Sequence, residues 1–428
     1  MRDIAVFILF GIGLFYAMKN PYYGVLLWSL FNYMNPHRLT WGLAYDFPFV
    51  YIIAIVTIIS FVISKEKRPI GMSGLLVVWI LFLIWMSITT LFALEPDSAI
   101  TQLTKVMKIQ LPVLMTLFLF YSKERIDQLI AVIVFSLGFY GVKGGIFTLA
   151  TGGGYIVWGP AGSFIQGNNE LAIAVLTAIP LVFYLRNQTK RIWLRRVLLA
   201  SAVLMLISVV GTQSRGAFLA MLALAVYFWW RSPKKMKWGM GLAIFAVILL
   251  ASAPETWKSR MESIQNYEED ASAMGRIRAW RFATSLANAR VTGGGFNPWT
   301  RENYLAYTPS FNPEFRAYVA HSIYFSVLGE HGWIGLVLYL LIFMLTWRQL
   351  GLVIRRTRGD PGDGWMADLA DMLKISMIAY FVGGAFLSIS YFDLPWHLVA
   401  ISVLLGALSR ERETEKQRQS DRGFDNVH

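Results

Sequence analysis

The chain has 428 residues, 56% hydrophobic and 15% charged, with a mean hydropathy of +0.50. Soluble proteins carry about 25% charged residues, so this composition excludes an ordinary soluble fold and points to a polytopic membrane protein with no separate soluble domain. The net charge of +13 would suit nucleic acid, but much of the excess lies in short loops and the tail, as the positive-inside rule requires. The chain has no cysteine, which excludes disulfides and thiolate metal sites.

Apolar segments fall at about 3–18, 22–34, 46–64, 71–93, 103–121, 125–150, 169–186, 192–211, 215–230, 236–253, 321–347, 368–390 and 395–409. A helix needs roughly 20 residues to cross a bilayer, so the fold expected is an all-α, polytopic integral membrane protein. The first run, Ile4 to Met18, is followed by no small-residue cleavage site and reads as retained. Basic connections lie at 64–69, 123–125, 186–196, 231–237 and 348–358, and the tail from Arg410 to Arg422 is strongly basic. These belong in the cytoplasm. The loops at 94–99, 152–169, 211–215, 254–320 and 391–395 must then face outside. Thirteen full spans would leave the N-terminus outside. Because the first two segments are short, the expectation is about twelve spans, both termini inside, and a second segment that lies in the interface or re-enters. The domains expected are membrane helices over 1–253, a large outer loop containing helices over 254–320, membrane helices over 321–409 and a basic tail over 410–428, which should fray.

Candidate functional residues gather in the outer loops. Gln166, Asn168, Asn169 and Glu170 form a polar cap where a helix begins. One asparagine suits an N-cap, and Glu170 could orient a hydroxyl or pair with an arginine. The turn Gly211-Thr-Gln-Ser-Arg-Gly216 joins two apolar helices. Ser214 suits the N-cap, and Arg215 adds a full charge where free N–H groups already favour an anion; otherwise it snorkels to headgroups.

The 254–320 loop holds Lys258, Arg260, Arg276, Arg278, Arg281, Arg290, Arg301 and Arg316, with acids at Glu268 to Asp270. Residues 275–290 read as a helix with Arg276 and Trp280 on one face and Arg278 and Arg281 on a neighbouring one. Guanidinium forks suit phosphate oxygens; the bland reading is a solvated helix paired with those acids.

His321 stands where the loop gives way to an apolar helix. An unbroken helix of about 27 residues would run roughly 40 Å, longer than the ~30 Å hydrocarbon core, and so would put His321 at headgroup depth. A neutral imidazole there can accept a proton near pH 7, or it can simply be held by a backbone carbonyl. Glu330 lies about 180° round the helix and cannot orient His321 locally. His331 reads as structural. No HExxH, DxD or paired carboxylates occur in the outer loops, which argues against a zinc protease or a metal-dependent sugar transferase.

Taken together these residues resemble the O-antigen ligase and polymerase superfamily. The resemblance rests on Ser214-Arg215-Gly216, on Arg276 to Trp280 followed by Gly293 to Gly295, and on His321-Ser322 opening the helix after the loop. Pro21 to Trp28 and Tyr33 to Arg38 resemble the exosortase-associated O-glycosylation ligase branch. The family implies glycan transfer from undecaprenyl pyrophosphate at the periplasmic face of the bacterial inner membrane. The acceptor is a lipid A–core hydroxyl in ligases, another lipid-linked repeat in polymerases, and a Ser, Thr or Tyr hydroxyl in protein-directed members. It implies no metal and no cofactor. On that reading Arg215 and Arg276 hold the pyrophosphate, with Arg278 or Arg281 helping. His321 takes the acceptor proton or hydrogen-bonds the diphosphate, Gln166, Asn168, Asn169 and Glu170 contact substrate, and direct attack inverts the anomeric centre. The competing classes are a transporter and a flippase or assembly scaffold. Transporters place charge near the midplane, whereas spans 46–64, 71–93 and 236–253 carry none at their centres.

Overall fold

The computed structural model describes residues 1–231, 271–360 and 362–425. The expected span at 236–253, Lys258, Arg260 and the acidic run Glu268 to Asp270 lie outside the described residues. Among the described residues the regular structure is helix alone: α1 (Arg2–Lys19), α2 (Pro21–Met34), a 3-10 turn (Pro36–Leu39), α3 (Phe49–Ile63), α4 (Gly74–Leu91), α5 (Pro96–Leu119), α6 (Lys123–Ala150), α7 (Asn168–Gln188), α8 (Ile192–Gly211), α9 (Arg215–Arg231), α10 (Ala271–Ala289), α11 (Arg301–Tyr307), α12 (Ile323–Thr357), α13 (Gly364–Gly384) and α14 (Asp393–Asp425). Helices α4, α6, α7, α8 and α12 are each long and apolar enough to cross a membrane, so the protein is a multi-pass membrane protein.

The helix starts follow from local chemistry. Ser73 caps α4 by accepting from Leu76 N at 3.2 Å, and Ser122 caps α6 by accepting from Arg125 N at 3.4 Å. Asn20 accepts from Tyr22 N at 3.0 Å and Pro21 stands at the first helical position of α2, where its missing N–H costs nothing. The core sits around α7 and the first half of α14. Leu171 to Leu181 of α7 are buried without interruption, and Leu394, Trp396, Leu398, Val399, Ala400, Ile401 and Leu405 of α14 are fully buried.

The bundle has two distinct ends. At one, here called the loop end, lie the 152–167 loop, the 212–214 turn and the long stretch from 290 to 322. At the other the basic connections meet carboxylates: Arg125 with Glu66 at 3.1 Å, Arg68 with Glu411 at 2.9 Å, Arg356 with Glu413 at 3.0 Å and Arg358 with Asp371 at 2.6 Å. Such exposed pairs contribute about 0–1 kcal/mol each.

Three expectations differ from the structure: a second segment that lies flat or re-enters, both termini at the same side, and a frayed tail. The second segment neither lies flat nor re-enters. Asn20, before α2, donates to Glu66 at the basic end (2.5 Å), while Asn32, near its far end, hydrogen-bonds Asp393 at the start of α14. Asp3 accepts from Ala44 N at 3.0 Å at the loop end, so the N-terminus and the end of α14 lie at opposite ends of the bundle. The segment is short of 20 residues, but burial of Tyr22, Val25, Trp28 and Phe31 lets it cross inside protein rather than lipid. Residues beyond Ser409 also continue α14 to Asp425 rather than fraying; Arg412 and Lys416 pair with Asp363, and Lys416 with Asp360.

Candidate functional site

Helix α10 lies against the chain that leads into α12. A methyl group on Gly275 would stand 3.0 Å from the Tyr318 ring. Trp280 stacks on Phe325 with centroids 4.9 Å apart and planes at 9°, and its Nε1 donates to the Ala320 carbonyl at 2.8 Å. The face carrying Arg276 and Trp280 therefore turns toward His321, as their i, i+4 spacing allows. His321 itself takes φ +45°, a left-handed conformation uncommon for a side-chain-bearing residue. It is held from both sides: Trp280 grips Ala320, and Ser390 Oγ donates to the Ile323 carbonyl at 3.1 Å. Burial, and then the nearby Arg276 charge, lower the imidazole below its ordinary value. Both disfavour the imidazolium, so the ring is neutral at pH 7.

The other loop arginines are placed differently. Arg278 Nε donates to the Met274 carbonyl at 3.1 Å, and its guanidinium lies 4.1 Å from the Phe315 ring centre. Arg281 is exposed. Arg290, half-buried, donates to the carbonyls of Gly293 at 2.9 Å and Phe92 at 2.6 Å and so pins the loop.

The 212–214 turn forms as the sequence suggested. Ser214 Oγ accepts from Ala217 N at 3.3 Å, and Gln213 takes φ +53°. Gln213 Nε2 donates to the Gly153 carbonyl at 3.2 Å, and Asn168 Nδ2 donates to the Thr212 carbonyl at 2.9 Å. Neither asparagine caps α7: its N-cap is Gly167 and Asn168 is its first residue, free to reach the turn beside Arg215. Glu170 folds back onto its own helix start, where a methyl on Gly167 would meet its Oε2 at 1.9 Å. Gln166 Oε1 accepts from Gly162 N at 2.9 Å and closes its own loop. Asn169 is half-buried next to it. Arg215, half-buried, opens α9.

These helix starts meet at Gly383-Gly384, the end of α13. An added methyl on Gly383 would stand 2.1 Å from Ile173 of α7, one on Gly384 2.9 Å from Ile323 of α12, and one on Gly216 of α9 3.4 Å from Phe386. The N-termini of α7, α9 and α12 therefore open around one helix end. Each contributes free N–H groups and about half a positive charge. A cavity of about 830 Å³ lies elsewhere, between α6, α7 and α8, and none of these candidate residues lines it.

The 321–347 helix is not unbroken, and this is the main correction. Gly332 (φ +66°, ψ −171°) interrupts α12, so the length argument for the depth of His321 falls away. The break is shaped by the glycine run of the preceding loop. Gly294 N donates to the Gly329 carbonyl at 2.9 Å, and a methyl on Gly332 would stand 2.3 Å from the Val291 carbonyl.

Beside the break is a buried polar chain that sequence reasoning passed over. Tyr391 donates its hydroxyl to Glu330 Oε2 at 2.5 Å and lies 2.9 Å from His331 Nε2; His331 Nδ1 lies 2.7 Å from Thr89 Oγ1. Trp85 Nε1 donates to the His331 carbonyl at 2.9 Å, one residue before the break. His331 is fully buried, with a hydrogen-bond partner at each ring nitrogen. The available signal was Glu330-His331-Gly332, two polar residues and a glycine within an apolar helix.

The fold and this loop end define a multi-pass, all-helical membrane protein with half-buried cations, a neutral histidine and helix N-termini at one face of the bundle. Residues 200–340 match the family described as O-Antigen ligase, a stretch that spans Arg215, α10, His321 and the Gly332 break. The chain carries a domain of the O-antigen ligase superfamily there. Residues 1–190 match a family of unknown function (DUF5935). The curated proteins contain no match to the chain.

Proposed function

We propose that the protein transfers a glycan from undecaprenyl pyrophosphate onto a hydroxyl of lipid A–core at the periplasmic face of the bacterial inner membrane. On this reading α1 to α9 and α12 to α14 are spans, termini at opposite ends of the bundle require an odd total rather than twelve, and α10 and α11 belong to the periplasmic loop. The gathering of basic connections at the opposite end supports a cytoplasmic placement for that end.

The observation that carries the reading is the placement of Arg276 beside a neutral, conformationally constrained His321, in a domain of this family. The acceptor oxygen attacks the anomeric carbon as the bond to the pyrophosphate oxygen breaks, with inversion. The acceptor proton passes to an imidazole nitrogen of His321, which is unprotonated at pH 7. Arg215 and Arg276 hold the departing pyrophosphate, assisted by the N-terminus of α9. Such preorganised charge is the large term in reactions with an activated leaving group. Arg278 and Arg281 contact more distant donor groups, and Gln166, Asn168, Asn169 and Glu170 line the approach to the Arg215 turn.

The test of the phosphate role is Arg215→Lys beside Arg215→Ala, assayed with purified lipid-linked glycan. The lysine variant keeps charge but loses the fork. Donor affinity should fall in both, further in the alanine variant; normal binding and turnover in both would remove the assignment. Offering lipid A–core, a lipid-linked repeat and protein side by side separates ligase from polymerase and from protein oligosaccharyltransferase.

A further inference from the structure

Helix α5 carries a face at odds with its surroundings. It spans the bundle: Glu95, just before it, accepts from Thr300 Oγ1 at 3.0 Å at the loop end, and the Phe118 carbonyl accepts from Arg68 N at 3.0 Å at the basic end. Yet Thr101, Thr104, Lys105 and Lys108 are all exposed. Lys105 and Lys108 lie about 14 and 18 Å along the helix from Pro96 at 1.5 Å per residue, level with the 152–167 loop and the first turn of α3, where headgroups give way to the ~30 Å hydrocarbon layer. Among the described residues their contacts are aromatic, not ionic: Lys105 Nζ lies 4.4 Å from the Phe164 ring centre and Lys108 Nζ 5.7 Å from that of Tyr51. An ammonium group at that depth is costly unless it lines a watered cleft or meets an anion.

A third cation joins them. A methyl on Gly162 would stand 3.2 Å from Arg38 Cζ. The Arg38 guanidinium lies 4.6 Å from the Tyr45 ring centre and pairs at 3.4 Å with Asp46, itself well exposed. Gly162 and Phe164 belong to the same short stretch of the 152–167 loop, so Arg38 and Lys105 flank that stretch together. Phe164 packs against the apolar cluster that contains Phe49 and Ile109, the latter next to Lys108 in the chain. The opposite edge of the loop meets the Arg215 turn, where Val157 N donates to the Gly211 carbonyl at 3.1 Å. One loop thus has the Arg215 turn on one side and a second set of cations on the other.

We propose that Arg38, Lys105 and Lys108 form a second anion-binding cleft that takes the phosphate-bearing headgroup of the acceptor amphiphile. The inference rests on the glycan-transfer reading. Transfer between two membrane amphiphiles needs two headgroups side by side. The donor pyrophosphate is assigned to Arg215 and Arg276, which leaves the cations across the loop for the acceptor. Phe164 and Tyr51 supply apolar surface where headgroup gives way to acyl chains.

The test uses the full-length protein in detergent, with phosphorylated lipid A–core and its enzymatically dephosphorylated form as probes. Binding to the resting protein is read separately from turnover. For a Lys105→Gln/Lys108→Gln variant, affinity and KM for the phosphorylated probe should weaken about ten-fold or more, as loss of charge-assisted contacts implies. Donor KM should be unchanged, and the dephosphorylated probe should show no difference between variant and wild type. Lys105→Arg/Lys108→Arg should restore binding, which separates lost charge from lost folding. Wild-type affinity in the glutamine variant, a weakening confined to the donor, or equal weakening for both probes would overturn the cleft. If the wild type binds the probe through these lysines but transfers no glycan to it, the transfer reading fails while the cleft stands.

Discussion

The indole of Trp280 donates to the Ala320 carbonyl at 2.8 Å, one residue before His321. Through that bond the helix carrying Arg276 sets the backbone that carries the histidine. Trp280→Phe should keep the stack on Phe325 and fold normally while leaving the Ala320 carbonyl without its partner. An unpaired carbonyl costs about 1–3 kcal/mol, so transfer should fall about ten-fold at equal protein amount. An unchanged initial rate would remove Trp280 from the positioning of His321.

His321 holds φ +45°, which glycine adopts without penalty and other residues do not. His321→Gly should therefore melt at or above the wild-type temperature, and His321→Ala should be about 1 kcal/mol less stable than the glycine variant. Both should lose transfer. A thermal-shift series in detergent alongside the activity assay checks the order. Transfer surviving in the glycine variant would make the residue a backbone feature alone.

Burial and the Arg276 charge lower the His321 imidazole. The neutral form thus persists below the ordinary value of about 6.5, and the acid limb of kcat/KM should fall below pH 6.5. Arg276→Gln removes the second cause and should move that limb to higher pH. The sign for stability is the same. Below about pH 6.5 the unfolded chain binds a proton that the folded imidazole resists, so this group's contribution declines as pH falls through that value. A limb that stays in place in Arg276→Gln would show that the two residues are not electrically coupled.

Tyr391→Phe strips a buried carboxyl of its hydroxyl donor and should destabilise the protein by about 1–3 kcal/mol. Glu330→Gln keeps an acceptor for Tyr391 and should cost less. Urea or thermal unfolding of the two variants gives the comparison, and the reverse order would mean that Glu330 acts through its charge rather than through this bond.

Much of the site's local structure was legible because short-range rules govern it. Ser214 caps α9, and the Arg276–Trp280 spacing fixes a common face. The all-helical membrane fold was legible from hydropathy. The path of α2 was not: burial inside the bundle, invisible in a 14-residue segment, relieves it of the length a lipid-facing helix needs. The break at Gly332 was missed because an apolar run has the same hydropathy whether or not another loop cuts into it. What interrupts it is the approach of Gly293 and Gly294, a tertiary contact. Arg278 and Arg281 share a helix face by spacing, but Phe315 draws Arg278 toward the loop, and spacing cannot reveal that.

The proposed glycan transfer rests on His321 and the arginines around it. The most direct measurement is transfer of purified undecaprenyl-pyrophosphate-linked glycan to lipid A–core by the purified protein, with His321→Gly and Arg276→Gln as controls at matched folded amount. The wild type should yield glycosylated lipid A–core, His321→Gly none above background, and Arg276→Gln far less than the wild type. Undiminished product from a folded His321→Gly variant would contradict the proposal.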